Sequence, residues 1–111
     1  IGMEEVLKGS HNSALVTGAF LSDGNQIGFA RVISDKTRFA YIMDVIIDEN
    51  FRKMGIGQEI IKHILNHREL RDVYQWLLIT KDAHEVYRKT GFSIIKRPGD
   101  WMEIRYDRPA R

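Results

Sequence analysis

Residues 39–65 decide the fold: FAYIMDVII over 39–47, then DENFRKMGIGQEIIKHIL over 48–65. The first nine are apolar on both parities except for Asp44, which is how a central strand covered on both faces reads. Asp48, Glu49 and Asn50 end it. Beyond Gly55 and Gly57 the residues Ile56, Ile60, Ile61, Ile64 and Leu65 recur at helical spacing, with Gln58, Glu59, Lys62 and Asn66 on the other side. An amphipathic helix therefore begins at the glycines.

Arg52, Lys53, Met54, Gly55, Ile56 and Gly57 fill the bend between strand and helix. Glycines there allow a tight turn and close approach of a ligand, and the free N–H groups with the positive end of the helix dipole attract phosphate. The segment reads as a pyrophosphate cradle, although two glycines also serve a plain strand-to-helix turn. Two other phosphate loops are excluded. A P-loop needs Lys and Ser or Thr after its last glycine, where this chain has Gln58 and Glu59. A dinucleotide fingerprint needs a third glycine where Ile60 stands.

Upstream, residues 14–21 and 27–33 read as strands, the second alternating strictly. Turns are expected at Ser22-Asp23-Gly24-Asn25 and Ser34-Asp35-Lys36-Thr37. Residues 1–11 have the spacing of a short helix. Downstream, residues 73–79 form a strand, residues 82–89 a short helix with Asp82 as N-cap and Gly91 as stop, and residues 92–95 and 101–106 two closing strands around the turn at Arg97-Pro98-Gly99-Asp100. Meandering strands followed by a strand-helix-strand crossover specify an α/β fold with a mixed sheet, antiparallel in part and parallel around the crossover.

The 111 residues suit one domain spanning 1–111, and 43% hydrophobic with 29% charged residues is a globular composition. The absence of cysteine excludes disulfides, zinc ribbons, iron–sulfur clusters and thiol nucleophiles. No apolar run reaches membrane-spanning length and no signal-peptide pattern opens the chain, so no membrane partner and a reducing cytoplasm are expected. A net charge of +2, with the basic residues scattered, gives no reason to expect nucleic acid. An anionic cofactor would suit it equally.

Thr80-Lys81-Asp82-Ala83-His84-Glu85-Val86-Tyr87-Arg88-Lys89-Thr90-Gly91-Phe92 forms the second constellation. A tyrosine on a short helix after the sheet opens can hold its hydroxyl toward a ligand between strands and act as a general acid, or it can be a packed aromatic. Asp44, the lone carboxylate in the central strand, is either a general base or a structural residue hydrogen-bonded at a strand irregularity. Glu103 and Asp82 are weaker rivals for the base. His63 and His67 are four residues apart, but Ile64 stands where a zincin-type run needs a carboxylate, so no metal site is expected. Trp76 and Trp101 suit core or pocket wall, and Arg68, Arg71, Arg88 and Lys89 a solvated face.

Together these segments resemble the GNAT superfamily of acetyl-CoA-dependent N-acetyltransferases. Its Arg/Gln-x-x-Gly-x-Gly/Ala motif is matched by Arg52, Gly55 and Gly57, and its Ala-x-x-x-Tyr-x-x-x-Gly-Phe motif by Ala83, Tyr87, Gly91 and Phe92. The resemblance runs over about residues 14–106. It implies a GNAT-like fold, acetyl-CoA as acyl donor without a metal, and direct attack of a primary amine of a small molecule or peptide on the thioester. It further implies that backbone groups of Val45, Ile46 and Ile47 pair with the pantetheine arm and that Lys53, Met54, Gly55, Ile56, Gly57 and Gln58 hold the pyrophosphate. Thr80 falls where members place a cofactor-binding Asn, and Tyr87 where they protonate the departing thiolate. Members begin with a strand and a helix ahead of the segment that residues 1–11 match. Without them the edge at residues 14–21 is expected to pair with another copy, as a dimer or by strand exchange. A non-catalytic acyl-CoA-binding or regulatory module with the same fold is the alternative to an enzyme.

Overall fold

Two side-chain-braced turns fold the first half of the chain into a meander. The computed structural model describes residue 8 and residues 11–108. Strand β1, Leu15–Phe20, pairs antiparallel with β2, Gln26–Ser34, from Leu15 opposite Val32 to Phe20 opposite Gln26. In the turn between them Asp23 accepts the Asn25 N–H at 2.9 Å and Gly24 takes φ +94°, a conformation that suits glycine. The next turn is tied more tightly. One oxygen of Asp35 accepts the backbone N–H groups of Thr37, Arg38 and Phe39 at 3.0, 2.8 and 3.2 Å. These donors hold the Asp35 carboxyl far below the usual carboxylate range.

β3, Phe39–Ile47, pairs antiparallel with β2 and parallel with β4, Gln75–Leu77, giving a mixed four-stranded sheet in the order β1-β2-β3-β4. The connection from β3 to β4 carries helix α1, Ile56–Leu65. Its apolar stripe, Ile60, Ile61 and Ile64, is buried against Ala30, Val32, Ala40 and Ile42 of the sheet, with Leu70 and Val73 closing one end. Gly28 lets the helix come close, since a Cβ there would lie 2.9 Å from Ile60 Cδ1 and 3.1 Å from Ile47 Cδ1. The α/β class, the mixed sheet and its parallel crossover are as the sequence implies.

The helix expected over residues 1–11 lies almost wholly outside the described residues, of which Lys8 and His11 are helical. Three other expectations change. The strand expected over 73–79 pairs only through Gln75–Leu77, because β3 and the chain after Leu77 separate. Helix α2 is shorter than expected, His84–Arg88, with Ala83 and not Asp82 at its N-cap. Thr80 Oγ1 accepts the Ala83 N–H at 3.0 Å, so a hydroxyl braces the turn in place of the Asp82 carboxylate. Last, residues 92–95 and 101–106 form no strand. Alternation says which face of a strand would be buried, but a ladder also needs a partner edge. Here Arg97, in the left-handed region, and the Pro98–Asp100 turn lead the chain outward, leaving Met102 96% and Ile104 83% exposed.

The core makes a direct test. Ile64 is fully buried where helix and sheet meet, and Ile64→Ala is expected to cost about 2–5 kcal/mol in urea unfolding.

Candidate active site

The parallel ladder between β3 and β4 holds over Phe39, Ala40 and Tyr41 opposite Gln75, Trp76 and Leu77, and then stops. Beyond it the two segments diverge, so residues 42–47 have no β4 partner among the described residues. A parted strand pair offers backbone donors and acceptors to an extended ligand.

At the far end of β3 the chain makes three changes of direction in a few residues. Asp48 accepts the Asn50 N–H at 2.9 Å and starts the 3-10 turn Glu49–Phe51. Lys53 then takes φ +64° and Gly55 φ +83°. Gly55 is the N-cap of α1, with no side chain capping it, and the helix's first bond runs from the Glu59 N–H to the Gly55 carbonyl at 3.1 Å. The N–H groups of Ile56, Gly57 and Gln58 therefore lack intrahelical partners at the positive end of the helix dipole. The space before them is open: a Cβ built on Gly55 would meet nothing within 4 Å, and Arg52, Lys53 and Met54 are exposed. Geometry of this kind binds phosphate oxygens.

The loop is joined to the strand at two points. Arg52 Nε donates to the Ile47 carbonyl at 3.3 Å, so its guanidinium braces the bend as well as adding charge. A Cβ on Gly57 would lie 3.9 Å from Ile47 Cγ1, which sets the first turn of α1 against the end of β3.

The other arm of the opening carries α2. Tyr87 is half-buried and packs edge-to-face on Phe92, with ring centroids 6.0 Å apart. Burial pushes its phenol pKa up, keeping the hydroxyl protonated and able to donate across the neutral range. Gly91 ends the helix at φ +109°, and the Phe92 N–H returns to the Tyr87 carbonyl at 3.2 Å. Those bonds place Phe92 against Tyr87.

A family model for the acetyltransferase (GNAT) domain matches residues 16–94. The chain belongs to the GNAT acetyltransferase family. Among solved structures, one described as belonging to the GNAT family, from Xanthomonas campestris pv. campestris, is 36% identical, superimposes with a TM-score of 0.86, and is matched over 96% of this chain and 73% of its own. A probable acetyltransferase from Staphylococcus aureus is 26% identical with a TM-score of 0.76, over 96% of this chain and 81% of its own. An N-acetyltransferase, ycf52 of Porphyra purpurea, is 30% identical over 91 residues, 79% of this chain and 51% of its own length. The chloroplastic GCN5-related N-acetyltransferase 3 of Arabidopsis thaliana is 32% identical over 72 residues, 64% of this chain and 30% of its own. The chain thus spans about half or less of the length of these curated relatives.

Within the GNAT fold the expected site residues fall into groups. Val45, Ile46 and Ile47 lie on the part of β3 that has no β4 partner while staying beside β2, and Arg52 to Gln58 follow the end of the strand. Thr80 and Tyr87 sit on the second arm, where the Thr80 oxygen is used by the Ala83 N–H. Asp44 stands beside the irregularity in the β2–β3 register. Its Oδ2 accepts from Arg31 Nε at 2.6 Å, both side chains being largely buried. Asp82 and Glu103 are exposed. His63 and His67 meet edge-to-face on α1 and the turn after it, His67 Nδ1 accepts the Glu69 N–H, and among the described residues no three potential ligands converge. Arg31 was not singled out from the sequence. Its signal was there: one cation within the alternating apolar run Ile27, Phe29, Arg31, Ile33.

Gly55 carries the clearest backbone prediction. Gly55→Ala forces an L-residue to φ +83° and is expected to cost about 1–2 kcal/mol. Gly55→Asn, which tolerates that region, should cost less, measured by urea denaturation.

Proposed function

We propose that the chain is an N-acetyltransferase that moves an acetyl group from acetyl-CoA to a primary amine of a small molecule or peptide. The observation that carries this reading is the open helix N-terminus at Gly55 continuous with the strand end at Val45–Ile47, whose β4-side edge has no partner among the described residues. An anionic group with an extended amide-bearing arm fits that pair of features, and coenzyme A has both. The main-chain N–H groups of Ile56, Gly57 and Gln58, with Lys53 and Met54 in the same bend, hold the pyrophosphate, and the peptide groups of Val45, Ile46 and Ile47 pair with the arm. Acetyl-CoA supplies an activated acyl carbon and a thiolate leaving group.

The residues of this chain then have two tasks. Backbone N–H groups beside the opening stabilise charge that grows on the carbonyl oxygen during attack by the amine. Tyr87 gives its phenolic proton to the departing sulfur, a role that the raised pKa supports because the hydroxyl must be protonated to act. Asp44 already accepts Arg31, so we assign removal of the amine proton to water and give Asp44 a structural role at the bulge. Thr80 retains a hydroxyl proton to offer the cofactor while its oxygen accepts Ala83.

The same reading extends to association and setting. Among the described residues β1 forms an outer edge of the sheet, with Val16 and Phe20 exposed, and this supports pairing with a second copy. No helix among the described residues is long and apolar enough to cross a membrane, and with no cysteine in the chain we assign it to the reducing cytoplasm.

Acetyl-CoA-dependent thiol release across a panel of amines tests the enzyme against a non-catalytic acyl-CoA module. Turnover with at least one amine is expected, and Tyr87→Phe should lower kcat by about 10²-fold or more. The sign of the pH effect follows from the acid role. Activity should rise with pH as the amine loses its proton and fall again as alkaline pH removes the phenolic proton, above the usual tyrosine range, and the Tyr87→Phe variant should lack that alkaline limb. Binding of acetyl-CoA without turnover of any amine would support the module instead.

A further inference from the structure

We propose that Arg31 is a positioning residue for cofactor binding, acting through Asp44 to hold the bulge that presents Val45–Ile47 to the ligand. The inference rests on the acetyl-CoA reading above.

The register of β3 motivates it. Arg31 lies opposite Met43 and Phe29 opposite Ile46, so Ala30 faces Asp44 and Val45 together. One extra residue in one strand reverses which parity faces the core after it. Before the bulge the core-facing residues are Ala40 and Ile42; after it they are Val45 and Ile47, while Ile46 is exposed. Without the extra residue the even parity would continue, turning the Asp44 carboxylate toward Ile42 and the α1 stripe and taking Val45 and Ile47 off the core. The bulge thus keeps a charge out of the core and turns the peptide groups that follow.

That geometry has a cost, and Arg31 offsets it. Asp44 takes φ +54°, a left-handed conformation that an L-residue rarely adopts without support. Its side chain is 16% exposed and that of Arg31 9%, with Nε to Oδ2 at 2.6 Å. Arg31 Nη1 also reaches Ser13 Oγ at 3.3 Å, tying the pair to the residues ahead of β1. Removing Arg31 leaves the Asp44 carboxylate buried without this cation, and the bulge is the element free to yield.

Calorimetric titration of coenzyme A into the full chain tests this, each variant being confirmed folded by circular dichroism at the temperature used. Arg31→Met and Asp44→Ala should each raise Kd about tenfold. Combining Arg31→Met with Asp44→Gly should restore Kd to within about threefold of wild type, because glycine takes the bulge conformation unaided and no carboxylate is left buried. A pair that serves stability alone would lower the urea midpoint yet leave every Kd within about twofold of wild type. That result overturns the proposal, as does a double variant that binds no better than Arg31→Met or, should that variant not fold, than Asp44→Ala. An absence of heat with the wild-type chain would instead overturn the acetyl-CoA reading, and this inference with it.

Discussion

A parallel strand pair that parts after three residues leaves backbone groups that must find partners, and this chain parts β3 from β4 just beyond Tyr41 and Leu77. On the β2 side β3 stays paired out to Ile47, interrupted only by the bulge at Asp44–Val45, so the strand is held in place while its other edge opens. The opening is therefore a fixed feature of the sheet and does not depend on a flexible loop. An extended ligand can complete the ladder there at little cost in chain entropy, since the protein's half is already ordered.

The second half of the site is fixed by packing. Ile60, Ile61 and Ile64 lock α1 onto the sheet, and Gly28 allows the approach to be close. The free N–H groups at the start of α1 are consequently set against the end of β3, where Gly57 neighbours Ile47 and Arg52 grips its carbonyl. Core burial, which supplies most of the stability, also determines where these amides point. Neither element could shift without repacking the other.

Much of this was legible in the sequence because it depends on local pattern. The period of 3.6 after Gly57, the period of two from Ile27 to Ile33 and the lone charge at Asp44 are each read from one segment. What was not legible depends on partners distant in the chain. The partner of the Asp44 carboxylate is Arg31, thirteen residues away on the neighbouring strand. The ends of β4 and α2 are decided by where pairing stops and by the Thr80 hydroxyl. The alternation of residues 101–106 shows a strand-forming segment, but no edge among the described residues receives it, and Trp101, Met102, Ile104 and Tyr106 are exposed.

The central claim is that the bend between β3 and α1 and the open edge of β3 bind one ligand together. Amide chemical shifts recorded on the isotope-labelled chain during titration with coenzyme A test it most directly. Saturable shifts at Gly55, Ile56 and Gly57 together with Val45 and Ile47, following one binding curve, are the expected result. Shifts confined to the outer face of α1 around His63 and His67, or none at all, would contradict it.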